Sequence, residues 1–492
     1  MGPRAKYGAG IRVGQVTTST AVGQLLLTGH PLQRCGARAA ALLAGAENPD
    51  QVTPVGLDVV VDKLTTAVVR AGTVPNNAVA YEWWKVLFAL YPNSPATHSK
   101  RSHDPVELRE SVQQLFVPDR GDAPASPCAF CAQPTTTVWG KDKLPMFDSL
   151  KAVNTLPPRL PGWPVCRACR IAMWALPYGA WVTAGSATVL TCPEDAVELR
   201  FVAKNVARAL RIQQLGFGGL PANASAETVT LGALLAYGGR AGVGTTLWVF
   251  KNDNQDAWLR VALTRGGVPA FVRAMLSDPD CRTAWRELQG VLTERDKDGA
   301  VKTSGIAAAA RTLFDPADRP GSPPGDRLQR ELLRLVKDTE KRTNRTLIAW
   351  RALCRLYLEV IHQMDVGQVK PARELITEWI TQEPNPRGRF NEYVSASGRA
   401  FELQKLMMRA SARLVLDGRQ PADITGVAPA LFATDGNGWR LRGLLFFDVV
   451  AELVNKGAPI GRKAEPGEAE EEAELGFDPD PVSGQESREY WQ

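Results

Sequence analysis

Residues 128–169 read CAFCAQPTTTVWGKDKLPMFDSLKAVNTLPPRLPGWPVCRAC. They contain two Cys-x-x-Cys pairs, Cys128 with Cys131 and Cys166 with Cys169, separated by 34 residues. Each pair can clamp one edge of a tetrahedral cation, and four thiolates at about 2.3 Å leave no position for a catalytic water. The pattern predicts a structural zinc site. The alternative is that four reduced cysteines lie apart in the core.

The segments on either side of the cysteines differ in composition, and together they predict an α+β protein. A polar stretch, DRGDAPASP, leads into the first cysteine pair, and FDPADRPGSPPGD (Phe314–Asp326) marks the sharpest boundary because it holds four prolines and two glycines. We predict a mixed α/β domain over 1–120, a zinc-binding segment over 121–195, a sheet-containing middle region over 196–313, a helical bundle over 326–457 and a disordered acidic tail over 458–492.

Local patterns predict individual elements. Thr53 as N-cap and Pro54 at the first helical position open an amphipathic helix that Gly72 closes. Residues 245–250 and 258–263 read as two strands of a hairpin with a long loop. The uncharged stretch from Ile171 to Pro193 contains prolines and glycines, so we interpret it as a pair of buried strands and not as a membrane span. No signal peptide or lipidation motif is supported, and we expect a cytoplasmic protein with reduced cysteines.

The charge of the chain is unevenly distributed. Its 492 residues have hydrophobic and charged fractions close to the soluble average, which excludes collagen, wholesale disorder and a polytopic membrane protein. The formal net charge is +6, but residues 464–492 hold ten acidic residues and one arginine. The tail therefore carries −9 and the remaining body +15. A body this basic predicts a polyanionic partner or an acidic protein surface.

Part of the positive charge is arranged along a predicted helix near the start of the C-terminal bundle. Six cations recur there at steps of three and four residues: Arg327, Arg330, Arg334, Lys337, Lys341 and Arg345. If the helix is continuous they line one face, where they can follow a phosphate backbone without base specificity. The alternative is an ordinary solvated surface, partly neutralised by neighbouring acidic residues.

A second candidate nucleic-acid site lies in the loop after the predicted tryptophan-containing helix. Asn93 could contact a base edge there, while Lys100 and Arg101 hold phosphates. In the same loop, His103-Asp104 is reminiscent of metal-dependent phosphohydrolases, although Asp104-Pro105 also fits a helix start. With four histidines in the chain and no nucleophile in a suitable motif, a catalytic function is not indicated.

Four features of the sequence occur together: TGHPLQRCG (Thr28–Gly36), the two cysteine pairs, the KNDNQD segment with the following GVPAFVRAML, and the basic helical C-terminal region. In these features the chain resembles the large subunit of type I-B CRISPR effector (Cascade) complexes. The resemblance covers most of residues 13–455. It implies a non-catalytic protein that recognises the protospacer-adjacent motif, assists opening of the DNA duplex, and holds displaced single-stranded DNA while a guide RNA pairs with the target strand.

The resemblance also implies partners. They are the guide RNA and target DNA, the backbone and small subunits of the complex, and either a nuclease-helicase or, in a transposon-associated system, transposition proteins. Two alternatives stay open: a metal-dependent phosphohydrolase or nuclease at His103 and Asp104, and a zinc-braced adaptor that binds only protein.

Overall fold

The structure is a computed structural model. It describes residues 23–119, 125–140, 142–146, 162–221, 223–238, 242–252, 257–316, 327–337 and 344–458. These residues form many helices and several small antiparallel sheets, so the chain is a helix-rich mixed protein, and the four cysteines lie in the middle of it. The predicted disordered tail falls, apart from Ala458, outside the described residues.

The N-terminal part is helical. Its helices are α1 (Pro31–Ala44), α2 (Pro54–Gly72), α3 (Tyr81–Leu90) and α4 (Pro105–Gln114). Residues 23–119 contain no strand, so the predicted α/β mixture is wrong for this part of the segment. Side chains bond the extended residues before α1: Gln33 Nε2 donates to the Leu26 carbonyl and Gln133 Nε2 to the Gln24 carbonyl.

Helix α2 confirms the prediction made from its ends. The Thr53 hydroxyl accepts a hydrogen bond from the Gly56 N–H, which satisfies one of the free donors of the first turn. Its apolar face, which includes Leu57, Val60 and Leu64, is buried. α2 packs against α1, α3 and α4.

The cysteine segment consists of two short hairpins followed by a buried helix. β1 (Ser126–Pro127) pairs with β2 (Pro134–Thr135), β3 (Val138–Trp139) pairs with β4 (Trp163–Pro164), and α5 spans Arg167–Gly179. The predicted pair of strands over residues 171–193 is therefore wrong in its first half. Residues 168–179 are all buried, so α5 has no polar face that could have indicated a helical period.

Helices α1 and α5 pack with their backbones almost in contact. A Cβ built on Gly36 would lie 1.9 Å from the Ala172 carbonyl oxygen, and one on Gly179 would lie 2.9 Å from the Cys35 oxygen. Only glycine allows this approach at either position.

A five-stranded antiparallel sheet follows. Its strand order is β11–β8–β7–β6–β5, with β5 (Trp181–Val182), β6 (Ala187–Thr191), β7 (Thr246–Lys251), β8 (Trp258–Leu263) and β11 (Asp315–Pro316). β7 and β8 confirm the predicted hairpin. The same part of the chain also contains α6 (Asp195–Leu215), α7 (Ala226–Ala236), α8 (Val268–Ser277), α9 (Pro279–Val291), a small hairpin of β9 (Glu294–Arg295) and β10 (Val301–Thr303), and α10 (Gly305–Arg311).

The C-terminal part is a helical bundle. It contains α11 (Arg327–Lys337), α12 (Asn344–His362), α13 (Lys370–Thr381), α14 (Pro386–Ser397), α15 (Ala400–Leu416), α16 (Ala428–Leu431) and α17 (Gly436–Asn455). α17 is buried along most of its length and packs against α12 and α13. Asp448 of α17 accepts hydrogen bonds from Arg351 and Arg355 of α12. α12 also packs against α8 and α9, so the bundle and the middle region share a core.

Candidate metal centre

The four cysteines of the two Cys-x-x-Cys pairs meet in one cluster. Their Sγ atoms all lie within 4.8 Å of one another, and those of Cys131 and Cys166 are 3.5 Å apart. Among the described residues, this is the one group of three or more candidate ligands close enough to share an ion. Tetrahedral thiolate coordination requires sulfur atoms about 3.8 Å apart. The cluster could therefore hold a metal ion such as zinc, as the spacing predicted.

Two kinds of local structure present the thiols. Cys128 and Cys131 flank a tight turn between β1 and β2, in which the Ala132 N–H donates to the Cys128 carbonyl and Ala132 takes a left-handed φ of 61°. Cys166 is the N-cap of α5 and Cys169 lies in its first turn. The partial positive charge at a helix N-terminus favours thiolates at these two positions.

The crowding of the four thiols shifts their pKa values in opposite directions. Contacts with the Cys128 thiol, followed by those with Cys131, raise the pKa of Cys166 and of Cys169. The pKa of Cys128 is lowered, first by its contact with Cys131 and then by those with Cys166 and Cys169. Four thiolates at this spacing need a neutralising charge, which a bound divalent cation supplies.

Two arginines next to the second cysteine pair fasten the cluster to the N-terminal helices. Arg170, almost fully buried, donates to the carbonyls of Leu115 and Val117 and to Asp119. Arg167 donates from Nε to the Phe116 carbonyl and from its backbone N–H to Asp119. These bonds place the cluster against the loop that follows α4.

A glutamine missed by the sequence analysis links the cluster to the opening TGHPLQRCG stretch. Gln33 is fully buried, and its Nε2 lies 3.7 Å from the Cys169 Sγ. Its Oε1 accepts hydrogen bonds from the backbone N–H and the hydroxyl of Thr28. A buried side-chain donor next to a ligand sulfur orients and tunes such a site. Sequence could not reveal this contact, because the two residues are 136 positions apart.

The three residues of the predicted nucleic-acid site in the loop after α3 differ in their exposure to solvent. Lys100 is exposed and Asn93 is half-buried. Arg101 is only 7% exposed: both its Nε and its Nη2 donate to the Gly72 carbonyl, and its guanidinium lies 4.2 Å from the Trp84 ring centroid. The Arg101 side chain therefore caps the C-terminus of α2 inside the protein, and its guanidinium is not available to bind a nucleic acid.

The predicted basic stripe is only partly described. Arg327 donates to the Phe314 carbonyl, Arg330 lies over the Trp439 ring, and Arg334 is exposed and pairs with Glu331. The side chains of Lys337 and Arg345 and the whole of Lys341 lie outside the described residues, and α11 is described only as far as Lys337. The three described arginines therefore already bind within the protein.

A basic helix face that the sequence analysis missed lies on α6. Arg200, Lys204 and Arg211 are exposed and fall on one side of this helix. The available signal was the absence of any Asp or Glu between Glu198 and Glu227.

The His103-Asp104 pair has a structural explanation. His103 is exposed, and Asp104 is the N-cap of α4, where its carboxylate accepts hydrogen bonds from the backbone N–H groups of Val106 and Glu107. In the described part of the chain no further ligands join this pair.

Comparison with known protein families found no match. No curated protein and no solved structure was found to be similar to the chain. In the described ranges, no helix is both long enough and apolar enough to cross a membrane.

Proposed function

We propose that the chain is a non-catalytic, zinc-braced subunit of an RNA-guided DNA-binding complex, corresponding to the large subunit that its sequence resembles. The observation that carries the proposal is the four-thiol cluster, which can fill a tetrahedral coordination shell with protein ligands alone. Zinc in such a site stabilises the fold and performs no chemistry. The excess positive charge outside the tail supports a polyanionic partner.

In this proposal the zinc braces the N-terminal helices, which recognise the protospacer-adjacent motif and begin strand separation. Lys100 is exposed there and Asn93 is half-buried. In the C-terminal bundle, α11, where Arg334 is exposed, faces displaced single-stranded DNA, and the rest of the bundle contacts the other subunits. The guide RNA supplies sequence recognition by base pairing, and the bound complex recruits a nuclease-helicase or transposition proteins.

Two alternatives give different results in the same experiments. A metal-dependent phosphohydrolase at His103 and Asp104 predicts cleavage that is lost in His103→Ala. Because Asp104 caps α4, substitution of His103 is the cleaner change. An adaptor that binds only protein predicts no salt-dependent retention of nucleic acid.

The test uses the purified full chain and fluorescein-labelled single-stranded DNA, duplex DNA and RNA. Fluorescence anisotropy at several salt concentrations should show binding whose affinity falls as salt rises, and gel analysis with Mg²⁺ or Mn²⁺ should show intact nucleic acid. Absence of binding to all three probes would overturn the proposal, and cleavage abolished by His103→Ala would establish the phosphohydrolase instead.

A further inference from the structure

We infer that the exposed face of α6 binds the sugar-phosphate backbone of a nucleic acid through Arg200, Lys204 and Arg211. The inference rests on the proposed function and assigns part of it to a surface that the resemblance does not indicate. The three cations are separated by four and seven residues, so they lie within about 40° of one another around the helix axis. They span about 16 Å along the axis, a length over which one strand of a duplex carries several phosphates.

The face is basic without local compensation. In the described part of the chain, none of the three side chains forms an ion pair or a hydrogen bond. Acidic residues of α6 and of neighbouring helices already have partners: Asp195 and Glu198 in the first turn of α6 bind arginines of α1, Glu82 of α3 binds Lys85, and Glu227 of α7 binds Arg311. The positive potential of the face therefore remains available to a ligand.

The helix is held rigidly beneath these cations. Arg208, on the flank of the face, lies 3.8 Å from the Trp181 ring centroid and donates to the Val182 carbonyl. At the first turn, Arg34 and Arg38 of α1 both bind Asp195 and Glu198. A fixed row of cations loses little conformational freedom when it binds a phosphate chain.

The exposed cations of α15 are less available, because each of them has an acidic partner. On α15, Lys405 pairs with Glu402, Arg409 with Glu392, and Arg413 with Asp417. This row has the same number of exposed positive charges on a helix of similar kind, and so it provides a matched control.

The small side chains between the cations favour a nucleic acid over a membrane. Ala203 and Ala207 are exposed on the α6 face, so a backbone can approach closely. A helix that lies in a bilayer surface needs a large apolar face to insert, but the main apolar face of α6, with Phe201 and Ile212, is buried in the core.

The test compares two triple variants of the full chain, Arg200→Gln/Lys204→Gln/Arg211→Gln and the control Lys405→Gln/Arg409→Gln/Arg413→Gln. Each loses three positive charges. Anisotropy with labelled single-stranded DNA, duplex DNA and RNA gives the slope of log affinity against log salt. We expect the α6 variant to bind about 100-fold more weakly at about 0.1 M salt and its slope to shrink by about 2, since each single-strand phosphate contact contributes about 0.7. The control should keep the slope of the wild type, and circular dichroism should show both variants folded.

The outcomes separate this inference from the proposed function. If the wild type binds and both variants have equal slopes, α6 is not the interface, although the protein still binds nucleic acid. If the wild type binds no nucleic acid, the proposed function and the inference both fail. A third outcome is that the wild type binds vesicles containing phosphatidylserine but no nucleic acid, and that the α6 variant binds neither. The face then recognises lipid headgroups, and the inference is overturned.

Discussion

The sharpest prediction concerns the third helical residue of α5. Replacing Cys169 by Ala removes one thiolate from the cluster while keeping a good helix former in place. Cys281→Ala is a matched control, because Cys281 is also buried, also the third residue of its helix, and outside the cluster. Both variants lose a buried sulfur, but only the first loses a thiol of the four-cysteine cluster.

The expected magnitude follows from the loop that the ion closes. A metal bound by both pairs joins Cys131 to Cys166 across 34 intervening residues. In the chain-entropy treatment, cross-linking a loop of this length stabilises the folded state by about 4 kcal/mol. For a chain of 492 residues that unfolds as one unit, we expect the melting temperature of Cys169→Ala to fall by about 4 °C. Cys281→Ala loses only packing and should cost about 1 kcal/mol.

The assay combines metal analysis with thermal unfolding. Protein purified with zinc in the medium should contain one zinc per wild-type and per Cys281→Ala chain, and much less in Cys169→Ala. Chelation of the wild type should lower its melting temperature toward that of Cys169→Ala. A wild type that contains no metal, or a Cys169→Ala variant as stable as the control, would refute the assignment of a metal centre.

Two further predictions concern ion pairs. Asp448 is 2% exposed and pairs with Arg351 and Arg355, which are 27% and 30% exposed. Asp448→Ala should lower the unfolding free energy by about 2 kcal/mol, which is less than for a fully buried pair because both arginines can reach water. An unchanged urea midpoint would contradict this. Burial works to raise the pKa of Asp119, but hydrogen bonds from Thr135 and Thr137 and the charge of an arginine outweigh it, so the pKa lies below its ordinary 3.8. The ionised carboxylate therefore contributes stability above the unfolded-state pKa, and this contribution is lost as the pH falls through the folded-state pKa. Asp119→Asn should lower the unfolding free energy at neutral pH, and the difference between the variant and the wild type should become smaller toward about pH 3. Urea unfolding of both proteins at the two pH values measures this difference.

Local signals in the sequence were sufficient where an element has a water-exposed side. The sequence predicts α2 within a residue at both ends, because Thr53 caps it and its apolar residues alternate with polar ones at a helical period. The Cys-x-x-Cys spacing likewise predicts the cluster, and the four thiols do lie together. In both cases the information lies within a few consecutive residues.

The signals failed where long-range packing decides the structure. α5 is buried on every side, so its sequence lacks the polar positions that separate a helix from a strand. Arg101 reads as a surface cation in a polar loop, but its guanidinium binds the Gly72 carbonyl at the end of a helix 29 residues earlier. The sequence shows where the cations of α6 stand, but it does not show which nearby acidic residues are already paired with other arginines and lysines. The positive charge of this face could therefore be recognised only in the structure.

The four-cysteine cluster and the basic face of α6 are connected through two helices. α5 begins at the cysteines and ends at Gly179, whose carbonyl accepts a hydrogen bond from Asn205 of α6. α1 packs on α5 through Gly36 and binds the first turn of α6 through Arg38. Loss of the metal should therefore weaken the scaffold that orients α6 without removing its charge. Because a salt slope counts phosphate contacts and a melting temperature reports the scaffold, Cys169→Ala should change mainly the melting temperature and the α6 variant mainly the slope.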